Sequence, residues 1–242
     1  MAEKKARTDS QWKALSRNDW GEILALAERK SFQRKFQFVE AFAEIGAYKG
    51  FHSVTYSDVA KKCKTTRQLV SHHFVDHEML IGLTYRYIYA QFQKLASDAL
   101  LARMGFRSRL EAYVDAVADW VSTHRSHARF LVQWYAFLHV REGFVAMHER
   151  NMRIGEERLA ALCEQAQADE ALFTGVDAAD LARRCASVQK LLLGYVTILS
   201  GRAGAGDEKL ERAELKRSLL AILGLQSISA RPGSRAGSMA SK

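Results

Sequence analysis

The stretch "SHHFVDHE", Ser71 to Glu78, places His72, His73 and His77 close to Asp76 and Glu78. Imidazoles and carboxylates at this density are the raw material of a metal site or an acid/base pair. His73 and His77 have the i, i+4 spacing that aligns two metal ligands on one helix face. That alignment requires one helix to run unbroken through Phe74, Val75 and Asp76, and Asp76 instead has the character of a cap opening a new helix. An HHxxxD acyl-transfer pattern fails as well, because only Phe74 and Val75 separate His73 from Asp76. The expectation is therefore no metal and no cofactor. A small all-α enzyme using His72, His73 and His77 is the rival.

The elements around the histidines point elsewhere. The only proline is Pro232, so the preceding chain lacks the strongest helix breaker, and an all-α fold is expected. Capping pairs mark helix starts at Asp19 with Glu22, Thr55 with Asp58, Ser108 with Glu111 and Asp177 with Asp180. Apolar residues recur at helical spacing, as in Phe32, Phe36, Val39 and Ala43, and again in Leu110, Tyr113, Val114, Val117 and Val121. Residues 1–30 form a basic N-terminal extension with an extra amphipathic helix. Residues 31–76 form a region of short helices, and 77–224 hold longer helices broken near Gly105, Gly175 and "GRAGAG". Residues 225–242 lack apolar periodicity and are expected to be disordered.

Upstream of the histidines the chain reads "SVTYSDVAKKCKTTRQLVSHHF". This is a capped short helix from Tyr56, a turn at Lys64 and Thr65, then a second short helix capped by Thr66 and ending at Phe74. Two short helices joined by a tight turn are the helix-turn-helix geometry, whose second helix lies in a DNA major groove. Val59, Ala60, Val70 and Phe74 supply the faces that lock the pair.

The order of "TYSDVA", "KTT", "LVSHHF" and "DHEML" over about 50 residues resembles the TetR family of one-component transcriptional regulators. The resemblance implies a three-helix DNA-binding domain followed by a larger helical domain that binds a small-molecule effector and dimerises. Three positions depart from the family pattern. Lys64 replaces the turn glycine, at a cost on the order of 1 kcal/mol if it takes the left-handed conformation. Ser71 replaces a tyrosine, and His77 replaces a phosphate-binding lysine; Lys61, Lys62 and Lys64 are the compensating cations.

In the DNA reading, Arg67 forks onto guanine, Gln68 pairs with adenine and Leu69 packs on a thymine methyl. Thr55, Tyr56, Ser57, Lys64, Thr66, Ser71, His72, His73 and His77 position the phosphate backbone. A third alternative is a TetR-like helical protein that has lost DNA binding.

Further along, Tyr113, Trp120, Phe130, Trp134 and Tyr135 mark either an effector pocket or plain core. Two amphipathic helices carry Val188, Leu192, Tyr195, Leu215 and Leu219. These serve the subunit's own core or, as the resemblance implies, a homodimer interface that sets two recognition helices about one DNA turn apart. A formal charge of +9, from 36 basic and 27 acidic residues, favours a polyanionic partner such as double-stranded DNA. Three scattered cysteines with no CxxC spacing, and no apolar run approaching the roughly 20 residues of a membrane span, fit a cytoplasmic protein.

Overall fold

The computed structural model describes residues 20–138, 142–201 and 208–225, among which there are ten α-helices and no strand. In chain order these are α1 (Trp20–Glu28), α2 (Lys30–Lys49), α3 (Tyr56–Lys62), α4 (Arg67–His73), α5 (His77–Leu101), α6 (Phe106–Thr123), α7 (Arg125–Phe137), α8 (Glu142–Glu170), α9 (Ala178–Gly201) and α10 (Glu208–Ile222). A 3-10 turn, Phe51–Ser53, joins α2 to α3. The Asp19 cap, the basic stretch near the start, most of "GRAGAG" and the tail beyond Leu225 lie outside the described residues.

Helix α2 ends because Gly50 adopts φ 84° and its N–H donates to the Gly46 carbonyl at 3.0 Å. A positive φ carries no Cβ penalty at glycine. The three helices α2, α3 and α4 share an apolar centre in which Phe38, Val39, Phe42, Val59 and Val70 are fully buried. The long helix α5 is covered by α1, α2, α6 and α7, which explains why Leu80, Tyr85, Ile88 and Ala90 on several of its sides are all buried. Helix α9 packs on α6, α7 and α8, while α10 lies on α6 and α9. Ion pairs Lys216–Asp115 at 2.6 Å and Arg212–Asp119 at 2.7 Å tie α10 to α6.

Two sequence expectations are corrected here. Ser108 and Glu111 do not open a helix: α6 already begins at Phe106, after Gly105 at φ 77°. Its first N–H is bonded at 2.6 Å by the Glu170 carboxylate from the end of α8, so the cap comes from another helix. Val188, Leu192, Tyr195, Leu215 and Leu219, expected at a homodimer interface, are buried within the single chain. Each helix has one strongly apolar face, and in α9 and α10 that face covers the subunit's own core. What α9 turns outward is a different row, with Leu191 37% and Ile198 59% exposed around Gly194.

Candidate nucleic-acid interface

Local capping shapes this region. Thr55 and Asp58 form a reciprocal capping box at α3: the Thr55 hydroxyl accepts from the Asp58 N–H at 3.2 Å, and Asp58 Oδ2 accepts from the Thr55 N–H at 2.8 Å. Lys49 Nζ donates to the same carboxylate at 2.8 Å. Hydrogen bonding from Lys49 and then from Thr55 holds the Asp58 carboxyl well below its ordinary range. The turn out of α3 passes through Lys64 at φ 51°, with the Thr65 N–H donating to the Ala60 carbonyl at 2.9 Å. Lysine thus accepts the left-handed conformation usually left to glycine. Thr66 then caps α4 by accepting from the Leu69 N–H at 3.2 Å, and Asp76 caps α5 by accepting from the Met79 N–H at 2.7 Å.

This geometry sorts the expected DNA-contacting residues. Val70 and Phe74 pin α4 against Phe38 and its neighbours, leaving Arg67, Gln68, Leu69, Ser71 and His72 exposed on the other side. Ser57, Lys61, Lys64 and Thr66 are exposed around the preceding turn. The Ser71 hydroxyl donates to the Gln68 carbonyl at 3.0 Å and keeps lone pairs for an incoming donor. The Thr55 side chain is engaged by its own capping box.

Two residues are turned inward, contrary to expectation. His77 is half-buried; its Nε2 bonds the Val54 carbonyl at 2.7 Å and its ring meets Phe42 edge-on. The Tyr56 hydroxyl is buried, and burial, followed by the charge of Asp76, pushes its pKa up to about 12. Both side chains hold α5 against the helix-turn-helix rather than meeting phosphate in this conformation. His73 is intermediate: its ring lies edge-on to Phe38, and burial, then Lys35, His72 and Arg34, lower its pKa and favour the neutral imidazole.

The rings of His72 and His73 meet edge-on with centroids 5.8 Å apart, but His77 does not join them. His77 faces Val54, His73 faces Phe38 and His72 is exposed. Asp76 is engaged as a cap.

Sequence reasoning missed how the helix-turn-helix is gripped from behind by α7. Gln133 accepts from the Phe51 N–H and donates to the Ala47 carbonyl, each at 3.2 Å. His127 Nε2 meets Glu40 Oε2 at 2.8 Å. Burial works to raise the Glu40 carboxyl, but hydrogen bonding and charge from His127 outweigh it and bring it below its ordinary value. Phe130 stands between Phe42 and Phe51. These pairs are more than 80 residues apart along the chain, so no local pattern announces them.

Three of the five expected pocket markers share one run of ring contacts, from Trp120 through Phe92, Tyr89 and Tyr85 to Trp134 and on through Phe144, Phe137 and Phe51 to Phe130. Tyr135 makes its ring contact elsewhere. Trp134 stacks on Tyr85 with centroids 3.9 Å apart, Trp120 meets Phe92, Tyr135 meets His148, and Phe130 belongs to the α2–α7 contact. Tyr113 is buried nearby in α6. Between α5 and α8 lies a polar layer. Asn151 Nδ2 donates to the Tyr85 hydroxyl at 3.0 Å, the Tyr89 hydroxyl donates to the Asn151 carbonyl, and Arg158 donates to Gln93. A cavity of about 20 Å³, bounded by Trp20, Ile23, Arg86, Tyr89, Gln93 and Asn151, adjoins it.

The sequence matches no protein-family model and no curated protein. The fold does match solved structures. A protein described as a transcriptional regulator from Pseudomonas aeruginosa PAO1 superposes with a TM-score of 0.67 at 15% identity, covering 81% of this chain and 92% of the other. One described as a TetR-family regulator from Rhodococcus sp. gives 0.64 at 16%, covering 80% and 98%. A transcriptional regulator from Saccharomonospora viridis, solved in complex with choline, gives 0.62 at 17%, covering 79% and 96%. The chain resembles TetR-family regulators and has their fold, an N-terminal helix-turn-helix domain joined to a helical C-terminal domain. No described helix is long and apolar enough to cross a membrane.

Proposed function

We propose that this chain, folded as the TetR-like regulators are, is a cytoplasmic sequence-specific DNA-binding regulator, a homodimeric repressor released by a small amphipathic ligand. The observation that carries the reading is the outer face of α4: Arg67, Gln68 and Leu69 are exposed together while Val70 is fully buried beneath them. A guanidinium, an amide and an apolar branch on one short rigid helix suit base edges in a major groove. Residues 31–76 bind DNA in this reading, and 77–224 bind the effector and dimerise.

Dimerisation runs through the outward row of α9, Leu191, Gly194 and Ile198. The effector enters the polar layer between α5 and α8, where Asn151, Tyr85 and Arg158 offer hydrogen bonds to its polar end and Trp134 offers an apolar face. A ligand larger than a water molecule must widen the small cavity there. Helix α7 carries the resulting shift to the helix-turn-helix through Gln133, His127 and Phe130.

Selection of bound fragments from a random duplex pool tests the reading directly. A recovered site should be a palindrome, and Arg67→Ala should weaken binding to it by about 1–3 kcal/mol while hardly changing affinity for random DNA. Equal losses on both would reduce Arg67 to a phosphate contact. The inward turn of Tyr56 and His77 favours a second reading, a helical protein that no longer binds DNA. Absence of any salt-dependent shift of duplex DNA would select it.

A further inference from the structure

Cys163 on α8 and Cys185 on α9 are free thiols whose sulfurs lie 3.7 Å apart, and each residue is 1% exposed. Helix packing brings them together. Gly155, Leu159, Cys163 and Ala166 are buried residues of α8, and Leu181, Cys185, Gln189 and Leu192 are buried residues of α9, at spacings that place each set on one helix face. The helices approach closely at this crossing: a Cβ on Gly155 would lie 2.7 Å from the Gln189 side chain. Joining the sulfurs requires closing their separation to about 2.05 Å, a change within reach of side-chain rotation and small helix shifts.

We propose that Cys163 and Cys185 are a reversible dithiol–disulfide modification site, oxidised by a small hydroperoxide. The contact also prepares one sulfur for attack. The hydrogen bond from the Cys163 thiol draws the Cys185 pKa below its ordinary value, and the same bond, reinforced by burial, pushes Cys163 up. The Cys185 thiolate takes one peroxide oxygen, forming an S–O bond as the O–O bond breaks, and the leaving alkoxide or hydroxide gains a proton. The Cys163 sulfur then attacks the sulfenic sulfur, an S–S bond forms, and the hydroxyl leaves with the Cys163 proton as water. Two thiols and one hydroperoxide become one disulfide, one alcohol or water, and one further water. The cross-link spans 22 positions and pins α8 to α9 around the intervening turn. A small oxidant is required because both sulfurs are buried. Cys63, half-buried on the far turn after α3, is the internal control.

The full-length protein, treated with hydrogen peroxide and then alkylated under denaturing conditions, reads the site by mass spectrometry. The expected result is a loss of about 2 Da for the two hydrogens removed, a cross-linked peptide joining Cys163 to Cys185, and full reversal by dithiothreitol. Cys63→Ser should keep the cross-link and Cys185→Ser should abolish it. Peptide mapping of the unsubstituted chain reads the bond directly, so poor folding of a variant leaves the test intact. Three cysteines still open to alkylation after treatment, oxidation that ends at a sulfinic acid on either buried residue, or cross-linking only through Cys63 would overturn the proposal.

Discussion

From residue 55 to residue 76 each of α3, α4 and α5 opens on its own cap, with Thr55, Thr66 and Asp76 each accepting from the N–H three residues on. In the bundle behind, α6 opens on a glycine, and its first N–H is bonded by Glu170 from 64 residues away. The helix-turn-helix therefore carries its termini in local sequence, as seven-residue helices must, because so short a helix has little propagation to offset nucleation. The long helices add distant packing, such as the Tyr85–Trp134 stack and the α8–α9 crossing, even where α5 and α9 also start on local caps at Asp76 and Asp177. In the proposed function, a surface that reads DNA must be rigid at short range, whereas a bundle that responds to a ligand must keep contacts that can rearrange.

The comparison breaks first in the bundle. Leu192→Glu should cost several kcal/mol and unfold the chain, because it places a charge in the subunit's core. Leu191→Glu, one residue along and exposed, should leave helicity intact by circular dichroism and split the proposed dimer in sedimentation. Equal unfolding by both would remove the distinction between the two faces. Trp134→Ala should cost about 3–5 kcal/mol in urea denaturation. A loss below about 1 kcal/mol would mean that the aromatic layer repacks as readily as an open ligand site.

In the helix-turn-helix the effects are smaller and local. Thr66→Ala should lower stability by about 1 kcal/mol, and Lys64→Gly should raise it by about 0.5–1 kcal/mol through relief of the φ 51° backbone. No gain from the glycine would show that the lysine side chain stabilises the turn in some other way. The smallest effect is on pH dependence. Because the folded Asp58 carboxyl titrates below its ordinary value of 3.8, its contribution is present above that pH and fades as pH falls through the folded value. The difference in Tm between the native chain and Asp58→Asn should therefore shrink between about pH 6 and pH 2. A constant difference would assign the effect to lost geometry rather than charge.

The division of the histidine cluster was legible from Asp76 alone, since a cap at that position separates His73 from His77. The inward turn of His77 was not legible, because its partner is the Val54 carbonyl, 23 residues earlier and in a connection without a pattern of its own. Amphipathic periodicity showed that Val188, Leu192 and Leu219 need cover; it could not say whether a second subunit or the same chain provides it. Periodicity reports only which side of a helix avoids water.

By itself the sequence determined the all-α class, the capped starts of α3, α4 and α5 and the exposed identity of Arg67, Gln68 and Leu69. Those depend on interactions spanning three or four residues, and such spacings are written in the chain. Tertiary structure alone decided the Glu170 cap on α6, the grip of Gln133 and His127 on α2 and its following turn, the core role of the α9 and α10 leucines, and the meeting of Cys163 with Cys185. Each of these joins residues on different helices, and which faces meet is settled only when all the helices compete to bury their apolar sides in one core.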